Sequence, residues 1–161
     1  MLLAEQIVID CPPQILGDLL RHRPVDWITP LLRLAGDEGE AAGLAVVGEG
    51  TEGPDRSQPP GGRQHRAEVG EVTGVHEGFR AGLHWCTTDY RALFREFDGT
   101  VDVRPLQGHS VLSIEGLVTG PPGAPAAGPA TVAVRRAAEC AVRSLLGHLR
   151  TAVEASPFAA R

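Results

Sequence analysis

The sequence contains no lysine. All 15 basic residues are arginine, against 20 Asp and Glu, which gives a formal net charge of -5. A lysine nucleophile or Schiff base is therefore excluded. The acidic balance also provides no surplus of positive charge to neutralise a phosphate backbone, so nucleic acid is not expected as a partner.

Cysteine is scarce, and Cys11, Cys86 and Cys140 are odd in number and far apart. This spacing indicates isolated, reduced thiols and not a disulfide framework or a zinc site. The six histidines never approach HxxxH or HxH spacing, and the pair His84 and Cys86 would need a third converging ligand. We therefore expect neither a metal nor another cofactor.

Long apolar runs are missing as well. No stretch approaches the ~18 apolar residues of a membrane span, and the opening MLLAEQIVID lacks the basic and long apolar regions of a secretory signal. A cytoplasmic protein is expected. The length of 161 residues fits one domain, which we place over residues 1–155 with a short tail over 156–161.

The most regular pattern that is present covers residues 131–154, which contain no proline and a single glycine. Apolar residues recur there at helical spacing and arginines fall mostly on the opposite side. The apolar side comprises Val134, Ala138, Ala141, Val142, Leu145, Leu146, Leu149, Ala152 and Val153. The pattern predicts a helix roughly 35 Å long that needs a sheet to bury against.

The N-terminal part predicts a strand over Leu3–Ile9 and then two short helices. The first helix starts at Pro12 or Pro13, and the second follows Pro24 and is expected to break at Pro30. Leu44–Gly48 is predicted to be a second strand. The following segment 49–62, EGTEGPDRSQPPGG, has no aliphatic residue, so we expect a mobile loop.

From residue 63 to 119 the hydrophobic period is two, which is typical of half-buried antiparallel strands. Further strands are predicted over Arg66–Val75 and Tyr90–Phe97, and Asp98-Gly99 is interpreted as a hairpin turn. The side chains predicted to point inward are Phe79, Ala81, Leu83, Trp85, Thr87, Val101, Val103, Leu112, Ile114 and Val118. The total is seven strands.

The order of these elements resembles the START-like, or SRPBCC, helix-grip superfamily, which includes polyketide cyclase-like and birch-pollen-allergen-like proteins. The resemblance depends on IVIDCPPQILGDLL, on VDWITPLL and on LFREFDGTVDVRPL and LSIEGLVTGPPG before the last helix. It implies an α+β fold in which a curved seven-stranded antiparallel sheet wraps around the C-terminal helix. It also implies a pocket for hydrophobic small molecules between the sheet and that helix.

The candidate ligand-binding residues are those expected to line such a pocket: Trp27, Leu31, Glu71, Leu83, Trp85, Thr87, Leu112, Ile114, Ala138, Ala141, Val142 and Leu145. The alternative for the tryptophans is plain core packing, and for Glu71 a solvent-facing position. The small alanines on the helix predict an unfilled apolar cavity.

Three functions remain open. The first is a carrier or sensor that binds a lipid-like or polyketide-like molecule without catalysis, as a monomer or weak homodimer. The second is a cyclase or dehydratase that uses the same pocket, for instance with Glu71 as a proton-transfer group. The third is an interaction module that uses the proline-rich loops. No residue is assigned a catalytic role.

The predicted orientation of the helix implies that two nearby substitutions lower the free energy of unfolding by very different amounts. Leu145→Asp would bury an unpaired charge and should unfold or severely destabilise the protein. Arg143→Ala, on the opposite side, should lower the free energy of unfolding by less than about 1 kcal/mol. Urea denaturation followed by circular dichroism measures both, and equal effects would contradict the predicted phase.

Overall fold

The computed structural model describes residues 1–22, 24–47, 65–89, 92–123 and 127–156, without the side chains of 24–27 and 47. Within these ranges the chain forms six strands and three helices. They are β1 (Leu2–Ile9), α1 (Pro13–Arg21), α2 (Pro24–Val47), β2 (His65–Val69), β3 (Thr73–Val75), β4 (Gly78–Thr87), β5 (Glu96–Leu106), β6 (His109–Thr119) and α3 (Pro129–Glu154). The loop predicted over 49–62 lies outside the described residues.

All six strands belong to one antiparallel sheet with the order β1-β6-β5-β4-β2, and β3 also pairs with β4. The β5–β6 hairpin turns through Gln107 and Gly108, whose φ angles of 48° and 91° are those of a two-residue turn with left-handed residues. The first strand, β1, stands at the end of this order next to β6, so it forms one edge of the sheet.

Asp98-Gly99 is not a hairpin turn, and this prediction was wrong. β5 runs straight through both residues, and Gly99 pairs with Leu83 on β4 and Gly116 on β6. A Cβ at Gly99 would overlap the carbonyl oxygen of Glu115, so glycine is present because two strands approach closely there. The strand predicted over 90–97 is consequently reduced to the first two residues of β5.

The second helix is much longer than predicted, because α2 covers 24 residues and includes Leu44–Val47, which had been predicted as a strand. The predicted strand 66–75 is divided into β2 and β3, whereas the predicted strands at 90–97 and around Val101 are both part of β5. With the strand at 44 lost to α2, the described residues have six strands where seven were expected. The buried stripe of α2 repeats at helical spacing, which explains why the helix continues. This stripe consists of Ile28, Leu32, Ala35, Gly36, Gly39, Glu40 and Gly43.

Pro30 does not break α2, contrary to the prediction. Its ring lies on the exposed face of the helix. A proline inside a helix leaves the carbonyl group four residues earlier without its usual N–H donor. Residues four apart lie on the same helix face, so the exposed position of Pro30 agrees with its being tolerated.

The long C-terminal helix is confirmed as α3, and it begins two residues before the predicted start, with Pro129 in the first turn. Leu145 is 1% exposed, whereas the Arg143 side chain is 54% exposed and its Nη2 lies 2.7 Å from Oε1 of Glu5 on β1. The predicted phase of the helix is therefore correct. Arg143 additionally ties α3 to the sheet edge.

Helices α2 and α3 lie side by side on the inner face of the sheet, with α2 against β2 and α3 against β1. Their contact is close because small residues face each other. A Cβ at Gly39 would lie 2.5 Å from the carbonyl oxygen of Ala137 and 2.6 Å from the Cβ of Ala141. A Cβ at Gly43 would lie 2.8 Å from the Cβ of Ala137. Glycine on α2 thus allows the two helix backbones to approach closely.

Substitution of two helical glycines should separate this packing effect from helix propensity. Gly39→Ala should lower the free energy of unfolding by about 1–3 kcal/mol, because the methyl group must push α2 away from α3. Gly147→Ala is the matched control, since a Cβ there meets no atom within 4 Å. It should raise stability by about 0.5–1 kcal/mol through helix propensity alone. Chemical denaturation measures both, and a stabilising Gly39→Ala would show that the helices are not in close contact.

Candidate functional site

Eight of the predicted ligand-binding residues belong to one buried apolar core between the sheet and the helices. They are Leu83 and Trp85 on β4, Leu112 and Ile114 on β6, and Ala138, Ala141, Val142 and Leu145 on α3. Thr87 on β4 is buried as well. Their burial agrees with the alternation of the strands and the spacing of the helix.

Aromatic side chains fill much of this interface. Trp85 is fully buried, and its ring meets that of Phe94 edge to face with 4.5 Å between the centroids. Phe97 is also fully buried and lies over the glycine of the neighbouring strand, since a Cβ at Gly116 would be 2.6 Å from its ring. These contacts are those of a packed core.

Among the described residues, α2 lies against Ala141, where an open cavity was predicted. Ala141 faces Gly39 of α2, and Ala137 one turn earlier faces both Gly39 and Gly43. The space that small side chains leave on one helix is therefore filled by the backbone of the other helix.

Two of the other three predicted residues lie elsewhere. Glu71 is exposed in the link between β2 and β3, so it takes the solvent-facing alternative and not the inward position. Leu31 is half-buried on α2 and packs against the core. The side chain of Trp27 lies outside the described residues. Thr87, although buried, uses its hydroxyl to accept a hydrogen bond from the backbone N–H of Asp89 at 3.3 Å.

A short polar chain that the sequence did not reveal leads from Trp85 to the surface. Trp85 Nε1 donates to Nδ1 of His65 at 3.3 Å, and Nε2 of His65 lies 3.6 Å from Oδ1 of Asp37 on α2. The His65 side chain is 3% exposed and that of Asp37 is 48% exposed. Because Nδ1 accepts from the indole, the proton of the neutral imidazole is on Nε2, facing the carboxylate.

A second buried polar residue, Glu40, connects α2 to the segment that precedes β5. Its carboxylate accepts hydrogen bonds from the backbone N–H groups of Leu93 and Phe94 at 3.0 and 3.3 Å. Such bonds to a charged acceptor are worth about 1.5–3 kcal/mol each. Glu40 therefore holds the segment before β5, including Phe94, against α2.

An open apolar pocket of about 390 Å³ lies at one end of the interface between β6 and α3. Its lining consists of Met1, Val118, Thr119, Gly120, Pro121, Pro122, Thr131 and Val134. Val118 and Val134 are buried and continue the packed interior, so the pocket begins where the core ends. The pocket opens toward the loops, and none of the residues predicted to bind a ligand lines it.

The described residues show little sign of metal or thiol chemistry. No three His, Cys, Asp or Glu side chains among them could together hold a metal ion. Cys11 is fully buried, and burial raises the pKa of its thiol, which keeps it protonated and unreactive at neutral pH. Across the same residues, no helix combines the length and apolar character that a membrane crossing requires.

An antiparallel sheet that follows an N-terminal strand and two helices, and that packs against a long C-terminal helix, defines the helix-grip class. The fold predicted from the sequence is thus confirmed, apart from the number of strands and the length of α2.

No protein-family model and no curated protein sequence matches the chain. Solved structures that match include TTHA0849 from Thermus thermophilus, with 17% identity, a TM-score of 0.49, and coverage of 98% of this chain and 99% of that one. The allergen Ara h 8.0201 matches with 11% identity, a TM-score of 0.37, and coverage of 94% and 98%.

A third match is the Zhui aromatase/cyclase from Streptomyces sp. R1128, with 14% identity, a TM-score of 0.32, and coverage of 98% of both chains. All three TM-scores lie below 0.5, so membership of the START-like superfamily stays a prediction from the sequence. Identities this low leave the function open, because one fold serves many functions.

The hydrogen bond between Trp85 and His65 can be tested by a substitution that removes the acceptor atom Nδ1 of His65 but keeps most of the side-chain volume. His65→Phe leaves the buried indole N–H of Trp85 without this partner, so the free energy of unfolding should fall by about 1–3 kcal/mol. His84→Phe is the matched control, because the His84 side chain is 38% exposed on the outer face of the same sheet. It should change stability by no more than about 0.5 kcal/mol. Thermal unfolding followed by circular dichroism distinguishes the two, and equal losses would argue against the proposed bond.

Proposed function

We propose that this chain binds a hydrophobic small molecule as a carrier or sensor, without catalysing a reaction on it. The observation that supports this proposal is the pocket between the end of β6, the loop 120–122 and the start of α3. Its volume of about 390 Å³ falls within the range of about 300–1,000 Å³ that is usual for ligand pockets.

The chemistry of the lining favours an apolar ligand. Val118, Val134, Pro121 and Pro122 offer aliphatic surface, and burial of such surface contributes about 25 cal/mol per Å² removed from water. Two prolines in the wall limit the backbone freedom that binding would otherwise remove. The pocket is therefore suited to hold an apolar group at a small entropic cost.

The polar part of the lining is suited to orientation and not to acid–base catalysis. Among the described residues around the pocket, the threonines Thr119 and Thr131 are the ones with polar side chains, and none has an ionisable side chain. A hydroxyl can donate or accept one hydrogen bond to a polar tip of the ligand, but it is a poor general acid or base near neutral pH. This composition favours the carrier or sensor over the cyclase or dehydratase.

Loop 120–122 is held close to the helix. Gly120 packs on Val134, because a Cβ at Gly120 would be 3.1 Å from Cγ1 and 3.2 Å from Cγ2 of that valine. The floor of the pocket is consequently formed by residues in direct contact across the junction of β6 and α3. A ligand seated there would bridge the sheet and the long helix.

A plug at the rim of the pocket tests the proposal. The probe is the fluorescent naphthalene 1-anilinonaphthalene-8-sulfonate, titrated into the wild-type chain, which should bind it saturably. Thr131→Trp places an indole in the pocket and should weaken binding by at least about tenfold, or 1.4 kcal/mol. Val132→Trp is the matched control, since Val132 is the next residue on α3, is 55% exposed and does not line the pocket. It should change the affinity by less than about twofold.

Circular dichroism spectra of both variants show whether the fold is preserved. Probe binding that does not saturate, or that Thr131→Trp and Val132→Trp affect equally, would contradict a ligand site at this end of the molecule.

A further inference from the structure

Among the residues that the structure describes, strand β1 pairs with β6 alone and is the terminal strand of the sheet, so its other side is free. Met1 and Val118 exchange both backbone hydrogen bonds, at 2.8 and 3.0 Å. Bonded and non-bonded pairs alternate along an antiparallel ladder, so Leu2, Ala4, Gln6 and Val8 point their N–H and C=O groups away from the sheet.

This edge lacks the features that usually prevent strands from pairing with other chains. β1 is eight residues long and contains no proline, glycine or basic residue. Its single charged residue is Glu5, and that carboxylate is already bonded to Arg143 of α3. Natural edge strands are normally short, charged, kinked or covered. A long, regular and nearly uncharged edge therefore indicates a site for strand pairing.

The outer face of the β1–β6 pair also exposes apolar side chains at its two ends. Leu2 is 63% exposed opposite Leu117, which is 59% exposed. At the other end Val8 is 48% exposed opposite Val111. The middle of the strand presents Ala4 and Gln6 on this face, which are small or polar but uncharged.

We infer that β1 pairs antiparallel with β1 of a second copy of this chain, and that the two sheets join across a two-fold axis. The register places Leu2 opposite Val8 of the copy and Ala4 opposite Gln6 of the copy. In this register all four outward-pointing residues of each strand are paired. A shift by two residues in either direction leaves one of the four without a partner in the opposite strand.

The same register brings the apolar ends together. Leu2 and Leu117 of one copy lie beside Val8 and Val111 of the other, and this occurs twice because of the two-fold axis. Glu5 lies opposite Glu5 of the copy, but each carboxylate keeps its own Arg143, so the like charges are compensated. The strand is thus complementary to itself in hydrogen bonding, apolar contact and charge, which is why the partner is a second copy.

Charge substitutions on the free edge test both the dimer and its register. Sedimentation equilibrium should show the mass rising from 17.0 kDa toward twice that value as concentration increases. Ala4→Lys together with Gln6→Lys places like charges opposite each other twice and should weaken the dimer by at least about tenfold. Ala4→Lys together with Gln6→Glu places opposite charges in those two pairs and should leave the dimer at least as stable as in the wild type.

A proline substitution separates pairing from folding. Gln6→Pro removes an N–H that points to the free edge, so β1 should stay in the sheet while the dimer is lost. Hydrogen exchange shows which backbone amides face the free edge. The amides of Ala4, Gln6 and Val8 should gain protection as the dimer forms, whereas those of Glu5 and Ile7, which bond to β6, should be protected throughout.

A chain that remains monomeric at all concentrations would overturn the inference. A dimer that withstands Ala4→Lys with Gln6→Lys would also overturn it, because the copies would then meet on another surface. Loss of the dimer with Ala4→Lys and Gln6→Glu as well would contradict the register. None of these results requires a ligand in the pocket, since Leu2, Ala4, Gln6 and Val8 do not line it.

Discussion

The close contact between α2 and α3 is the constraint on which the rest of the molecule depends. Gly39 and Gly43 face Ala137 and Ala141, so the two helix backbones approach without intervening side chains. Two helices packed this tightly cover the inner face of the sheet together, and the aromatic side chains of the sheet side fill the space beneath them. Open space is then left at the end of the helix pair, where the loop 120–122 meets α3.

Polar groups fix α2 in this position. Glu40 accepts two backbone N–H groups of the segment before β5, and Asp37 lies beside His65 on β2, which in turn accepts the indole N–H of Trp85. Glu40 and Asp37 thus connect α2 to two different parts of the structure. Apolar packing is tolerant of sliding, whereas these polar contacts require one position of the helix along its axis.

The sequence predicted those parts of the fold that depend on local spacing. The alternation of β4 and the phase of α3 could be inferred because large apolar residues mark the buried side. The course of α2 could not, since its buried stripe contains Gly36, Gly39 and Gly43, whose lack of a side chain gives no periodic signal, and a buried glutamate that looks solvent-facing. The bond between His65 and Trp85 depends on the register of β2 against β4, and spacing along the chain does not reveal which residues of two strands lie opposite. Asp98-Gly99 has the composition of a turn, and only the neighbouring strands show why glycine is needed there.

The pairing of β1 with β6 restricts the order in which the chain can fold during synthesis. Leu2 pairs with Leu117, so β1 cannot join the sheet until β6, more than 100 residues later, has been made. β4, β5 and β6, in contrast, are neighbours in the sequence and can form a meander without it. Until β6 is complete, β1 has two free edges instead of one. β1 is therefore exposed to pairing errors for longer than the other described strands.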